Sequence, residues 1–265
     1  MTVDRINDHA RTLATRLAGN MALWGISHRL AIGLLVLPLP ALPIAAYLSL
    51  AHERWFDWIT DEDRAVEWVQ TLVLLLAFCV YAILARRHWK VGRRVTALLS
   101  TFVAIGAVAI AGEEISWGQR ILGWATPALL DAINYQGEAN IHNIGAIATT
   151  SRLVQFSAAG YGVLVPLLAL LPRIPKRVRD SYFVPPVTLA SFFLGPFAYW
   201  AVRIPLEPSR AFFQLSEITE LSSYTGLAVF GVLSLRRLHA EANLAPGTTN
   251  RASLSPPPTT PPGAP

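Results

Sequence analysis

Long uncharged segments constrain this chain more than any other feature. Residues 95–111 contain no ionisable side chain, follow Arg93 and Arg94, and end just before Glu113 and Glu114. A helix of about 20 such residues crosses the hydrocarbon layer of a bilayer, which is roughly 30 Å thick. Six segments of this kind occur, at 31–51, 66–85, 95–111, 153–171, 182–202 and 217–235. Because lipid cannot satisfy free backbone amides, the sequence predicts an all-α polytopic membrane protein with six transmembrane helices.

Composition agrees with a membrane protein. The 265-residue chain is 53% hydrophobic and 15% charged, and its mean hydropathy of +0.41 is well above that of a soluble domain. Its one cysteine, Cys79, lies inside the second segment, which argues against disulfides and thiolate metal sites. Pro38, Pro40 and Pro43 should kink or break the first helix.

Basic residues indicate the orientation of the chain. With six spans, sixteen Lys and Arg residues fall on the side of both termini and six on the other. The positive-inside rule therefore predicts a cell-membrane protein with both termini cytoplasmic. The net charge of +5 belongs to that cytoplasmic face, where attraction to lipid headgroups accounts for it. Membrane lipids, rather than nucleic acid, are thus the expected partners, and no pattern indicates an oligomeric state.

The chain divides into three regions. Residues 1–30 have the pattern of a cytoplasmic amphipathic segment, and 31–238 form the membrane domain. Residues 239–265 form a Pro- and Thr-rich tail that we expect to be disordered. The longest connection is an outer loop at 113–152, and loops of that length are usually functional.

Ionisable residues recur at one depth of the predicted bundle. Counting about 20 residues from each cytoplasmic basic cluster reaches the outer boundary of that span. Four spans carry ionisable groups there: Glu67, Glu113 with Glu114, Glu217 with Glu220, and Arg203. Carboxylates at this depth are costly unless they face a partner or a wet cavity, and they usually mark function. Solvation in headgroup water is the alternative, and it is our interpretation of Glu67, which begins a helix after the acidic loop DEDR.

The motif GEEISWGQR occupies residues 112–120. If the third helix continued through it, Glu113, Ser116 and Arg120 would share one face, with Arg120 as the counter-ion of Glu113. Two carboxylates beside an arginine suit acid–base chemistry, and a salt bridge that fixes the loop is the alternative. In the last span Glu217, Glu220 and Tyr224 form one stripe, whose acids need Arg203, Arg120 or a cation as a partner.

The motif NYQGEANIHN occupies residues 134–143. Its polar residues alternate with small or apolar ones, as in an extended strand, whereas a helix would align Asn134, Glu138 and His142. Both interpretations place Glu138 and His142 on one side. A carboxylate with an imidazole can serve as a pair of metal ligands or as a base with its orienting group.

Together the two motifs resemble the EExSWGQR and NxQxExNxHN signature of a group of bacterial multi-pass membrane proteins. The resemblance covers residues 61–145 and the acidic last span, and it implies a shared site without naming its chemistry. A weaker similarity is to the CPBP family of intramembrane glutamate proteases, which pairs an EExxxR motif with later histidines. Here Arg120 lies six residues after Glu114, where that motif requires four. No catalytic residue is therefore carried over from that family.

These residues favour a membrane-embedded, metal-dependent hydrolase or transferase that acts at the outer leaflet on a lipid or lipid-linked substrate. The predicted catalytic residues are Glu113, Glu114, Glu138 and His142; the predicted substrate-binding residues are Arg120, Arg203, Gln136, Asn140 and Asn143; the predicted metal ligands are Glu138, His142, Glu217 and Glu220. Oxygen-rich ligands suit a hard divalent cation or iron better than tetrahedral zinc. Two alternatives are a cation- or proton-coupled transporter and a scaffold or assembly subunit.

Overall fold

A computed structural model of the chain describes residues 3–61, 64–134, 137–141, 144–206 and 210–244. Within these residues all regular structure is helical, apart from one isolated bridge between Asn134 and Ile144, which confirms the all-α class. The helices are α1 (Val3–Leu23), α2 (His28–Val36), α3 (Ala41–Ala51), α4 (Glu53–Thr60), α5 (Ala65–Lys90), α6 (Arg94–Glu114), α7 (Gln119–Leu122), α8 (Ala128–Asp131), α9 (Gly145–Leu168), α10 (Lys176–Arg179), α11 (Ala190–Arg203), α12 (Arg210–Phe213) and α13 (Leu215–Leu244).

Four helical stretches of the described residues are long and apolar enough to cross a membrane. They are His28–Ala51, the stretch that contains α5, Arg94–Glu114 and Leu215–Leu244. Their outer surfaces are strongly apolar, and Phe102 and Val95 are 74% and 65% exposed. A soluble domain rarely exposes such a continuous apolar surface, whereas lipid contact requires one.

The remaining two predicted spans differ from the sequence expectation. Segment 182–202 is helical over the fourteen residues Ala190–Arg203, preceded by a short 3₁₀ turn, because Pro185 and Pro186 disfavour a helix before them. Segment 153–171 overlaps α9, which begins eight residues earlier than predicted and ends three residues earlier, at Leu168. The structure thus supports a multi-helix membrane protein, and the count of six passes and the side of each terminus stay predictions.

Several boundaries also move. The first span breaks between α2 and α3 at Leu37–Pro40, as its prolines predict. The connection between α6 and α9 runs over residues 115–144, not 113–152, because both flanking helices extend into the predicted loop. Helix α13 continues to Leu244, so residues 239–244 are helical, and the rest of the predicted tail lies outside the described residues.

Helix α13 runs through the centre of the bundle. On one side it packs with α5 and α6 around a core that includes Leu74, Ala107 and Ala228. On another side it packs with α11, where Gly226 allows close approach of Phe192 and Phe193. Small residues in such positions let membrane helices pack by van der Waals contact.

Charge separates the two ends of this bundle. Helices α5 and α6 are joined by a tight turn at Val91–Arg93 and therefore run antiparallel. The start of α5, the end of α6 and the start of α13 form what we call the acidic end. The turn between α5 and α6 and the second half of α13, with Arg236 and Arg237, form the basic end.

Candidate functional site

Three carboxylates meet at the acidic end. One oxygen each of Glu114, Glu217 and Glu220 lies within 4.8 Å of the others. Glu114 is the last residue of α6, and the other two lie one turn apart near the start of α13, so two helices supply the group. All three side chains are half-buried. Like charges held this close in a partly dry setting require shared protons or a cation between them.

Tyr224 joins two of these carboxylates. Its hydroxyl lies 3.1 Å from Glu114 Oε1 and 3.3 Å from Glu220 Oε2. A phenol carries one proton, so it can donate a full hydrogen bond to only one of them. Tyr224 therefore orients both side chains but cannot neutralise their charge.

Gln70 supports the third carboxylate from α5. Its side-chain amide donates to Glu217 Oε2 over 3.2 Å and to the Glu217 backbone carbonyl over 2.8 Å. Gln70 is 0% exposed, and its Oε1 has no hydrogen-bond partner among the described residues. A buried amide oxygen without a partner is costly. It adds one more neutral oxygen donor beside the acidic group, of the kind that hard cations use.

A fourth carboxylate, Glu67, lies one turn before Gln70 on α5. It is half-buried and within electrostatic range of Glu114 and Glu217. Glu67 lies in the first turn of α5, as the sequence predicts, but it is half-buried near the other three carboxylates and not fully solvated. We call Glu67, Glu114, Glu217 and Glu220 the acidic cluster.

Apolar packing closes the acidic cluster toward the middle of the bundle. Leu74, Ala111 and Ala228 each lie about one turn deeper than Gln70, Glu114 and Tyr224, respectively, and all three are buried in one hydrophobic core. Apolar side chains therefore pack directly on the inner side of the acidic cluster.

A second polar group fixes the connection between α6 and α9. Helix α6 ends at Glu114, since Ser116 and Trp117 have positive φ values of 45° and 55°, followed by Gly118 at 77°. The continuous helix through residue 120, on which the shared face of Glu113, Ser116 and Arg120 depended, is therefore absent, and Glu113 and Ser116 do not share a helical face. Left-handed backbone at two non-glycine residues is costly and persists only where the surroundings impose it.

Buried hydrogen bonds impose this turn. Glu138 Oε2 accepts from the Ser116 hydroxyl (2.6 Å) and from the Asn140 amide (2.9 Å), while Asn134 donates to Asn140 Oδ1 (2.8 Å). These four side chains are between 2% and 7% exposed, and we call them the loop knot. Residues 137–139 and 141 are bends, and Gly137 has a φ of 66°, so this stretch is neither the extended strand nor the helix that the sequence offered.

Glu113 belongs with the loop knot rather than with its neighbour Glu114. Its two carboxylate oxygens accept from the Trp117 indole N–H (2.6 Å) and from the Ile141 backbone N–H (2.7 Å). Adjacent glutamates thus face different groups: Glu113 anchors the connection, and Glu114 joins the acidic cluster.

The remaining predicted site residues are placed as follows. Arg203 is 7% exposed, and its Cζ lies 4.6 Å from the ring centroid of Phe213. Of the predicted metal ligands, Glu217 and Glu220 come together, whereas Glu138 lies in the loop knot. His142, Gln136 and Asn143 lie outside the described residues, as does the side chain of Arg120. The catalytic and substrate-binding roles of these residues stay predictions.

Sequence reasoning missed Gln70, and it placed Glu67 at the level of the other acids but interpreted it as solvated. A signal was available: Gln70 is an amide inside an apolar run, three residues after Glu67 and hence on the same helical face.

Comparison with known proteins adds no relative, since no family model, no curated protein and no solved structure matches this chain.

Proposed function

We propose that this protein is an integral membrane enzyme that uses a divalent cation, held by the acidic cluster, for hydrolysis or transfer on a lipid or lipid-linked substrate. The observation that carries the proposal is the convergence of Glu114, Glu217 and Glu220 within 4.8 Å beside the unpartnered oxygen of Gln70. Carboxylate and amide oxygens are the ligands that Mg²⁺, Ca²⁺ and Mn²⁺ prefer. A cation there would polarise a substrate oxygen or activate a water.

The position of the cluster supports a membrane substrate. The acidic end lies at the ends of helices that are long enough to cross a membrane, where lipid headgroups are found. We assign this end to the outer face, because the basic end carries the arginines that the positive-inside rule places in the cytoplasm. In this proposal Glu114, Glu217 and Glu220 bind the cation, Gln70 and Tyr224 orient them, and the loop knot holds the connection beside them.

The packing below the cluster favours an enzyme over a transporter. A transport path needs polar groups or water on both sides of a binding site. Here the core around Leu74, Ala111 and Ala228 closes the inner side. A site with apolar packing on its inner side suits a reaction with a headgroup at the membrane boundary better than passage across the membrane.

The proposal is tested with purified protein in nanodiscs made from a bacterial lipid extract. We expect lipid products, detected by mass spectrometry, with Mg²⁺ or Mn²⁺ and none with EDTA. Glu217→Gln and Glu220→Gln should abolish them, whereas Glu53→Gln, an exposed carboxylate on α4, should not. Identical lipid profiles under all conditions would contradict the enzyme. Cation flux into liposomes that Glu217→Gln abolishes would assign the cluster to transport instead.

A further inference from the structure

A basic groove lies at the opposite end of the molecule from the acidic cluster. One wall is a single face of α1, and the other is the segment that follows α9 and includes α10. Its volume is about 670 Å³, within the range of small-molecule pockets. The residues that line it include Arg11, Arg16, Gly19, Lys176, Arg179 and Asp180.

The two walls are held together by specific bonds. Arg16 Nη1 donates to the backbone carbonyls of Leu170 (3.2 Å) and Leu171 (2.7 Å), just after the end of α9. Asn20 Oδ1 also accepts from the backbone N–H of Val187 (3.1 Å), a residue outside the groove lining, and this bond further fixes α1. A cation is favoured at carbonyls that a helix end leaves unpaired. Helix α1 is therefore docked, and the groove is a defined feature of the fold.

The charge of the groove selects an anion. Four cationic side chains face one carboxylate, Asp180, and Lys176 already pairs with that carboxylate. Arg179 Nε makes only a long ion pair with Asp180 Oδ1 (3.9 Å), and Arg16 is engaged with carbonyls. The hydroxyls of Thr12 and Thr15 donate to carbonyls one turn earlier in α1. Arg11 and Arg179 are then the side chains best placed to receive a new anion.

The location of the groove indicates which kind of molecule carries that anion. The groove adjoins the end of α9, and it lies at the basic end because the backbone carbonyl of Asp180 in its lining accepts a hydrogen bond from Arg237 of α13. Basic residues at a membrane boundary attract anionic lipid headgroups. Because arginine can bind phosphate with two parallel hydrogen bonds, a phosphate ester fits this charge pattern. We propose that the groove binds the phosphate of an anionic phospholipid headgroup.

Gly19 offers a way to block the groove without changing its charge. A Cβ at this position would meet nothing within 4 Å, so Gly19→Leu places a side chain in open groove space. Leucine also has a higher helix propensity than glycine, so α1 should stay folded.

The test measures the binding of short-chain phosphatidylglycerol to the detergent-purified full chain. Native mass spectrometry detects the bound lipid. We expect the Arg11→Gln/Arg179→Gln double variant to bind at least about tenfold more weakly, since each cation near an anionic headgroup contributes roughly fivefold. Gly19→Leu should bind more weakly to a similar degree. Arg177→Gln, which removes a cation of α10 outside the groove lining, should bind as the parent chain does.

Three results would overturn the proposal. Equal binding of phosphatidylcholine would show that the anionic charge is not recognised. An equal loss in Arg177→Gln would indicate diffuse surface attraction. Saturable binding of inorganic phosphate or of an oligonucleotide, without phosphatidylglycerol binding, would assign the groove to a soluble anion. None of these outcomes depends on the acidic cluster, because the two sites lie at opposite ends of the bundle.

Discussion

Replacing one carboxylate of the acidic cluster should change stability in opposite directions with and without a cation. Two unit charges 4.8 Å apart repel by about 3 kcal/mol at an effective dielectric constant of about 20. Glu217→Gln removes this repulsion toward two neighbours, and its amide oxygen can still accept the bond from Gln70. Screening by water and shared protons reduces the gain to about 1–2 kcal/mol, because the group is half-buried.

The assay is thermal unfolding in detergent at one scan rate. In EDTA we expect Glu217→Gln to unfold about 2–6 °C above the parent chain, from the usual relation between free energy and Tm. With saturating Mn²⁺ the parent chain should gain about 3 kcal/mol at a hundred times its Kd, and the variant should gain little. The variant should therefore have the higher Tm in EDTA, and the parent chain should have the higher Tm with Mn²⁺.

The control for this prediction is Glu53→Gln, which removes an exposed carboxylate and should follow the parent chain in both conditions. A variant that unfolds below the parent by the same amount with EDTA and with Mn²⁺ would refute the reasoning. Such a result would mean that Glu217 stabilises the protein by ordinary packing and that its carboxylate is not repelled by its neighbours.

Two further changes test the packing that positions the site. Asn140→Ala removes the amide that donates to Ser116 and Glu138, so it should destabilise the loop knot by about 1–3 kcal/mol. Proteolysis between α6 and α9 should then be faster, whereas Ile141→Ala, at an exposed side chain, should not change its rate. Gly162→Ala would place a Cβ 2.2 Å from Phe193 Cγ and should lower Tm by several degrees, whereas Gly106→Ala, where a Cβ meets nothing within 4 Å, should not.

The sequence predicted the helical class, and it predicted from simple physical rules that the acids of different helices lie at one end of the bundle. Apolar length identifies spans because lipid satisfies no backbone group. Counting from basic clusters reached the level of Glu114, Glu217 and Glu220, since helix rise is constant. The break in the first span followed from its prolines, which cannot donate a backbone hydrogen bond.

Other features depend on long-range contacts that periodicity does not contain. The division of Glu113 from Glu114 follows from the left-handed turn at Ser116, and that turn is stabilised by Glu138, which lies 22 residues later. The inclusion of Gln70 and Glu67 follows from the packing of α5 against α13. A short helix at α11 arises because consecutive prolines before it outweigh the apolar composition of that segment.

The most direct test of the acidic cluster as a cation site is a titration of the purified protein with Mn²⁺. Electron paramagnetic resonance measures the free ion, and the bound ion is obtained by difference. We predict one bound ion per chain, weakened at least about tenfold by Glu114→Gln or Glu220→Gln, because each removes a charged ligand. Glu113→Gln should retain binding, since that carboxylate accepts bonds from Trp117 and Ile141. No bound Mn²⁺, or equal loss in Glu113→Gln and Glu114→Gln, would contradict the account.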